Sequence, residues 1–192
     1  MKKQTQAIHT QFQRRDAYNS ISMPVYHTAA YEFDNADDMA DAFCGRTDAP
    51  DYSRVMNPTV TFFENKVKEL TGAAEVIALN SGMAAISNTL FSIAAAGKNI
   101  VTSRHLFGNT YSFIAGTLSR FGVEPRLCDL TDIGAVEKAV DSNPCCIYME
   151  IITNPQMEVA DLQALSRIVH ERGIPLIVDT TLIPFTEFDS HS

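Results

Sequence analysis

The chain has 192 residues, 45% of them apolar and 20% charged, the mix of a folded globular protein and not of a disordered one. A formal net charge of −8 argues against nucleic acid or an anionic membrane surface as the main partner, so any anion site must be local. Polar Gln4-Thr5-Gln6 follows Met1-Lys2-Lys3 where a signal peptide would be apolar, and no apolar run is long enough to cross a bilayer, so the cytoplasm is the expected compartment.

Residues 1–35 are polar and broken, with Pro24 and no lasting periodicity. A short helix is expected over 36–43, and Gly45, Pro50 and Pro58 mark 44–58 as an ordered loop. This arm, rich in Tyr and Arg but poor in a core of its own, calls for another surface to lie on, and a neighbouring subunit is the natural one. Residues 1–58 are therefore read as an arm and 59–192 as an α/β domain.

From Thr59 the pattern becomes regular. Val60, Phe63, Val67 and Leu70 stand at helical spacing over 59–70, and Gly72 offers a C-cap. Residues 75–79 read as a short buried strand, 82–96 as a helix, 99–102 as a strand and 110–121 as a helix. A strand is expected over 123–128, then a helix over 133–140 behind Thr131 or Asp132, and a strand over 146–151. A helix over 162–171, capped by Gly173, precedes a last strand over 175–178. Strands alternating with helices predict an α/β fold, a mostly parallel sheet with helices on both faces. The four cysteines, Cys44, Cys128, Cys145 and Cys146, form no CxxC pair, so reduced thiols packed in the core are expected, without zinc or disulfides.

Ligands of open α/β sheets gather beyond the carboxyl ends of the strands. Polar residues stand there after four predicted strands: Asn80-Ser81-Gly82-Met83, Leu106-Phe107-Gly108-Asn109, Thr153-Asn154-Pro155 and Asp179-Thr180-Thr181. Ser81-Gly82-Met83 opens a helix whose free N–H groups and dipole suit an anion, although Ser before Gly is equally an ordinary N-cap. Asp179 ends an apolar strand and must meet a partner that offsets desolvation. A protonated ring nitrogen is one candidate, and a backbone N–H or an arginine is another. Tyr52-Ser53-Arg54 presents a phenol and a guanidinium that fit phosphate oxygens, or a solvated arginine beside a packed tyrosine. Phe107 alone reads as core and Asn154 before Pro155 as a turn residue. No GxGxxG follows a strand, which removes a dinucleotide-binding module from consideration.

Taken together, Tyr52-Ser53-Arg54-Val55-Met56-Asn57-Pro58-Thr59, Asn80-Ser81-Gly82-Met83-Ala84-Ala85-Ile86, Thr153-Asn154-Pro155 and Val178-Asp179-Thr180-Thr181 resemble the Cys/Met-metabolism family of pyridoxal-phosphate (PLP) enzymes. The resemblance runs in order from about Ser22 to the end. It implies the large domain of a PLP-dependent transferase of fold type I, like aspartate aminotransferase. It further implies that Ser81, Gly82 and Met83 hold the cofactor phosphate and that Tyr52 and Arg54 reach the neighbouring subunit's phosphate. Asp179 would pair with the pyridine nitrogen, Asn154 would approach the phenolic oxygen, and Thr181 would lie beneath or beside the ring. Phe107 would stack where many members have a tyrosine, so the hydroxyl that could move a proton is missing.

The family's Schiff-base lysine lies in a Ser-x-Thr-Lys string one strand beyond Asp179, and no lysine follows Asp179 in these 192 residues. The reading is therefore the front part of such an enzyme, a fragment or truncated product without activity alone. The rival is a non-catalytic remnant. For the intact enzyme the resemblance implies a small amino-acid substrate, subunits sharing sites in a dimer and assembling as a tetramer, and γ-replacement or γ-elimination. Leu106-Phe107-Gly108-Asn109-Thr110-Tyr111 favours replacement, as in O-acetylhomoserine sulfhydrylases, because methionine γ-lyases commonly carry a cysteine where this chain has Asn109. Cystathionine γ-synthase and the cystathionine or methionine γ-lyases are the alternatives.

Overall fold

A computed structural model describes residues 3–9, 16 and 18–183. The chain forms two compact units that divide after Ala78.

In the first unit, helices form where caps and propensity agree. α1, Lys3–His9, falls where no element was expected, and Gln6 Nε2 ties it to the carbonyl of Glu69 at 3.2 Å. α2, Ala36–Phe43, starts where Asn35 accepts from the Asp38 N–H at 2.8 Å, with Asp37 and Asp38 against the positive end of the dipole. α3, Pro58–Thr71, has Asn57 as its cap, Pro58 in the first turn, and Gly72 at φ 73° to end it. Among the described residues of this unit only Ala42 and Leu70 are buried, while Tyr18, Ile21, Val25, Phe43, Val55 and Phe63 are exposed.

The segment Glu75–Leu79 corrects the reading of its sequence. It takes no regular structure and pairs with no strand among the described residues, and Ile77 is 79% exposed. Apolar composition alone does not make a strand, because a ladder needs a neighbour to accept its hydrogen bonds.

The second unit opens with α4, Gly82–Ile93, three residues shorter than expected because Ala94 turns to extended backbone at ψ 141°. There follow β1 (Asn99–Ser103), α5 (Gly108–Tyr111), β2 (Glu124–Cys128), α6 (Ile133–Ala139), β3 (Pro144–Glu150), α7 (Leu162–Arg172) and β4 (Leu176–Asp179). α5 runs on into a π-helical stretch over Ser112–Leu118. Asp132, not Thr131, caps α6, since Thr131 spends its hydroxyl on Asp129.

All four strands are parallel, in the order β2-β1-β3-β4. Alternation splits their side chains between two cores, as expected for helices on both faces. Val101, Ile147 and Met149 meet Val136 of α6 and Leu165 and Ile168 of α7. Ile100, Cys146 and Tyr148 meet Leu90 of α4 with Ile114 and Leu118 of the π stretch. Such fully buried aliphatic side chains each contribute about 1.5–3 kcal/mol relative to exposure, so these two layers hold the sheet. The cysteines are free, but only Cys128 and Cys146 are buried. Cys145 is half-buried and Cys44 is exposed at the C-cap of α2, which corrects the expectation of four packed thiols.

Strand order fixes where a ligand fits. From β1 the chain crosses to β2 on one side, then returns to β3 on the other. The connections leaving β1 and β3 therefore diverge and open a crevice beyond their carboxyl ends.

Candidate cofactor site

Two adjoining cavities open beyond the carboxyl ends of the strands. One, of about 490 Å³, is lined by residues that include Gly82, Ile86, Tyr148, Ile177, Asp179 and Thr181. The other, of about 220 Å³, is lined by residues that include Gly82, Met83, Phe107, Glu150, Asn154 and Asp179. Gly82, Asp179 and Thr181 line both. Six of the residues singled out in the sequence, Gly82, Met83, Phe107, Asn154, Asp179 and Thr181, thus surround one space, although they come from four segments.

Ser81 is the N-cap of α4 and accepts from the Ala84 N–H at 3.1 Å. The next two amides, of Gly82 and Met83, donate to nothing among the described residues. A Cβ built on Gly82 would meet no atom within 4 Å, so this glycine faces open space and a side chain there would project into the cavity. Free N–H groups at a helix start, behind a residue without a side chain, make an anion cradle. Met83 is fixed from the other side, with the Thr110 hydroxyl 3.9 Å from its sulfur.

Asp179 is the last residue of β4, and its carboxylate is met by three donors. The Thr181 N–H reaches Oδ1 at 2.9 Å, the Thr181 hydroxyl donates to the same oxygen, and Tyr148 Oη donates to Oδ2 at 3.2 Å. The two alternatives left for Asp179 are thereby narrowed. A backbone N–H does meet it, no arginine among the described residues lines either cavity, and the carboxylate still borders both. A cationic ring nitrogen would find an acceptor already oriented.

Two contributors escaped the sequence reading. Tyr148 and Glu150 lie two residues apart on β3, hence on one face, opposite Ile177 and Asp179 of β4. Burial, with Asp179 beside it, pushes the Tyr148 phenol well above the ordinary tyrosine range, so it stays a donor. Burial likewise raises the Glu150 acid, against the hydrogen bonds it accepts from Phe107 and Asn154. The available signal was the alternation of Tyr148 and Glu150 through an otherwise apolar strand.

Beside the crevice, His105 Nδ1 lies 2.9 Å from Glu158 and links the segment after β1 to the one after β3. No lysine lines the two cavities among the described residues.

Tyr52 and Arg54 belong to the first unit, where the Arg54 guanidinium lies over the Tyr52 ring at 5.2 Å from its centroid. Ser53 and Asn57 between and after them knit the loop. Asn57 Nδ2 donates to Ser53 Oγ at 2.9 Å and to the Tyr26 carbonyl at 3.0 Å, while Ser53 donates to the Thr28 carbonyl. The Tyr-Ser-Arg-x-x-Asn-Pro string is thus a folded turn ending in a helix cap, with Tyr52 and Arg54 left on its surface.

A cradle for an anion, an oriented carboxylate and an aromatic side chain together fit a flat, phosphorylated, protonated ring. Known proteins agree. L-methionine gamma-lyase of Fusobacterium nucleatum subsp. nucleatum is 37% identical over 168 residues, covering 87% of this chain and 42% of that protein. O-acetyl-L-homoserine sulfhydrylase of Corynebacterium glutamicum is 35% identical, covering 93% and 41%. A solved structure from Campylobacter jejuni that holds N'-pyridoxyl-lysine-5'-monophosphate superposes with a TM-score of 0.87 at 35% identity, covering 94% of this chain and 44% of that one. An O-acetylhomoserine sulfhydrylase of Wolinella succinogenes is 51% identical with a TM-score of 0.65, covering 67% and 38%. The chain spans about two fifths of the length of the curated relatives it matches. Residues 4–186 match one family over nearly the whole sequence, and with the fold and cradle they place this chain in the Cys/Met metabolism PLP-dependent enzyme family.

Proposed function

We propose that the cavities of the second unit take pyridoxal 5'-phosphate for a γ-replacement on O-acetylhomoserine by sulfide or a thiol. The observation that carries the cofactor reading is the pairing of unused amides at Gly82 and Met83 with the oriented carboxylate of Asp179 around one space. Ser81, Gly82 and Met83 hold the phosphate, Asp179 the ring nitrogen, Asn154 the phenolic oxygen, and Phe107 packs on the ring. Thr181 sits beside the ring and also fixes Asp179. Bound there, pyridoxal phosphate supplies an electron sink for negative charge at the amino acid's Cα. Phe107 has no hydroxyl, so it can exclude water and orient the ring but moves no proton.

Replacement is favoured over elimination by Phe107-Gly108-Asn109 and by the 51% identity to a sulfhydrylase. Cystathionine γ-synthase and the γ-lyases are the alternatives. Tyr52 and Arg54, surface residues of a unit with little core, serve the phosphate of a neighbouring copy, and the working assembly is a homo-oligomer of shared sites in the cytoplasm. Among the described residues no helix is long and apolar enough to cross a membrane.

A chimera tests the chemistry. Residues 1–183 are joined to the remaining part of the Wolinella succinogenes enzyme and assayed with O-acetylhomoserine plus sulfide, and separately with methionine. Homocysteine formation from the first is expected. Keto-acid release from methionine as the main activity would instead assign a lyase.

A further inference from the structure

We propose that Glu150 is the positioning residue of the ring pocket, holding the two sides of the crevice at a fixed separation through one carboxylate. The inference rests on the cofactor site argued above. Glu150 ends β3, is 8% exposed and lines the smaller cavity. Its Oε1 accepts from the Phe107 N–H at 2.7 Å, and its Oε2 from the Asn154 N–H at 3.3 Å. Phe107 follows β1 as the N-cap residue of α5, its side chain caps nothing, and its own N–H is held by Glu150 from a different strand. Asn154 follows β3 itself. One carboxylate therefore sets the backbone positions of the residue proposed to pack on the ring and of the residue proposed to meet its phenolic oxygen.

The choice of residue supports this role. A buried carboxylate beside another acid, Asp179, is a costly way to fill space, and an apolar side chain of similar volume would serve the fold at least as well. What only a carboxylate provides at this point is two acceptors aimed at two separate N–H groups. Glutamine offers one acceptor and presents an amide donor to the other N–H.

The test uses the 192-residue chain, its Glu150→Gln and Glu150→Ala variants, and pyridoxal phosphate as probe. Amide hydrogen exchange at Phe107 and Asn154, urea unfolding, cofactor affinity and the circular dichroism of bound cofactor are read for each. Glu150→Ala should speed exchange at both amides, and Glu150→Gln at the one left facing its NH2 group, selectively and without lowering the urea midpoint in proportion. Affinity should fall about tenfold in Glu150→Ala, with loss of the induced dichroism that reports a fixed ring. Equal exchange at both amides in wild type and Glu150→Gln, or a uniform loss of protection across the chain, would overturn the positioning role. A wild-type chain that binds no cofactor would instead refute the site reading, and the exchange data would still decide whether Glu150 holds the two backbones.

Discussion

Tyr148 on β3 donates its phenolic hydrogen to Asp179 at the end of β4, 3.2 Å away, across a strand pair that sets Tyr148 opposite Ile177 and Glu150 opposite Asp179. The bond anchors the central carboxylate of the site in the hydrophobic core, because Tyr148 is itself fully buried against Leu90 and Ile114. Replacing Tyr148 by Phe should destabilise the chain by about 1 kcal/mol, the net worth of a buried hydrogen bond. Urea unfolding of the two proteins checks this, and the variant should also bind pyridoxal phosphate more weakly.

The same residue predicts a pH dependence. The folded Tyr148 holds its proton above the ordinary tyrosine value of 10.0, so the folded chain binds more protons than the unfolded one at alkaline pH. Its contribution is complete below that value and is lost as pH rises beyond it. Stability measured by urea between about pH 8 and pH 11 should decline above pH 10 in wild type, and less steeply in Tyr148→Phe.

Gly82 separates folding from binding. A methyl group there meets nothing, and the position lies at the start of a helix, so Gly82→Ala should leave stability unchanged or raise it by about 0.4–1 kcal/mol. The same methyl would enter the cavity at the proposed phosphate cradle, and cofactor affinity should fall several-fold. Thermal unfolding and a cofactor titration on one preparation give both numbers.

Thiol chemistry should divide the four cysteines. The neighbouring Cys146 brings the Cys145 thiol down, whereas burial pushes Cys128 up. Cys146 is raised by the same pairing and by burial. With maleimide at neutral pH, peptide mapping should find the exposed Cys44 and the half-buried Cys145 labelled well before Cys128 and Cys146.

Much of this arrangement could be read from the residues because local signals and the final fold agree. Asn57-Pro58 and Gly72 bracket α3, Asp161 and Gly173 bracket α7, and Asp179 after three aliphatic residues marks a strand end that must find a partner. Glu75–Leu79 misled because apolar composition signals burial and cannot say which strand accepts its ladder. α1 depends on contacts with α3 that no window of seven residues contains. The π-helical turns after Tyr111 carry ordinary helical periodicity, so sequence gives the helix and not its pitch. Glu150 and Tyr148 were legible as strand residues only. Their roles come from the β3–β4 register and from the reach of Glu150 to a backbone 43 positions away.

No lysine of the described residues lines the cavities, so the cofactor should bind this chain without a covalent bond. Borohydride reduction of the 192-residue chain with pyridoxal phosphate, followed by peptide mapping, should yield no stoichiometric adduct on any one lysine. A single specific adduct would reveal a covalent anchor that the cavity lining does not contain.

The most direct test of the central claim, that Asp179 holds the ring nitrogen, is the nitrogen NMR signal of ring-labelled pyridoxal phosphate bound to the chain. Wild type should show the protonated pyridinium at neutral pH, because the carboxylate oriented by Thr181 and Tyr148 favours the cation. Asp179→Asn keeps the shape and loses the charge. It should still bind through Ser81, Gly82 and Met83, but with the signal moved to the unprotonated nitrogen. An identical signal in both proteins would contradict the assignment and leave Asp179 as the structural end of β4.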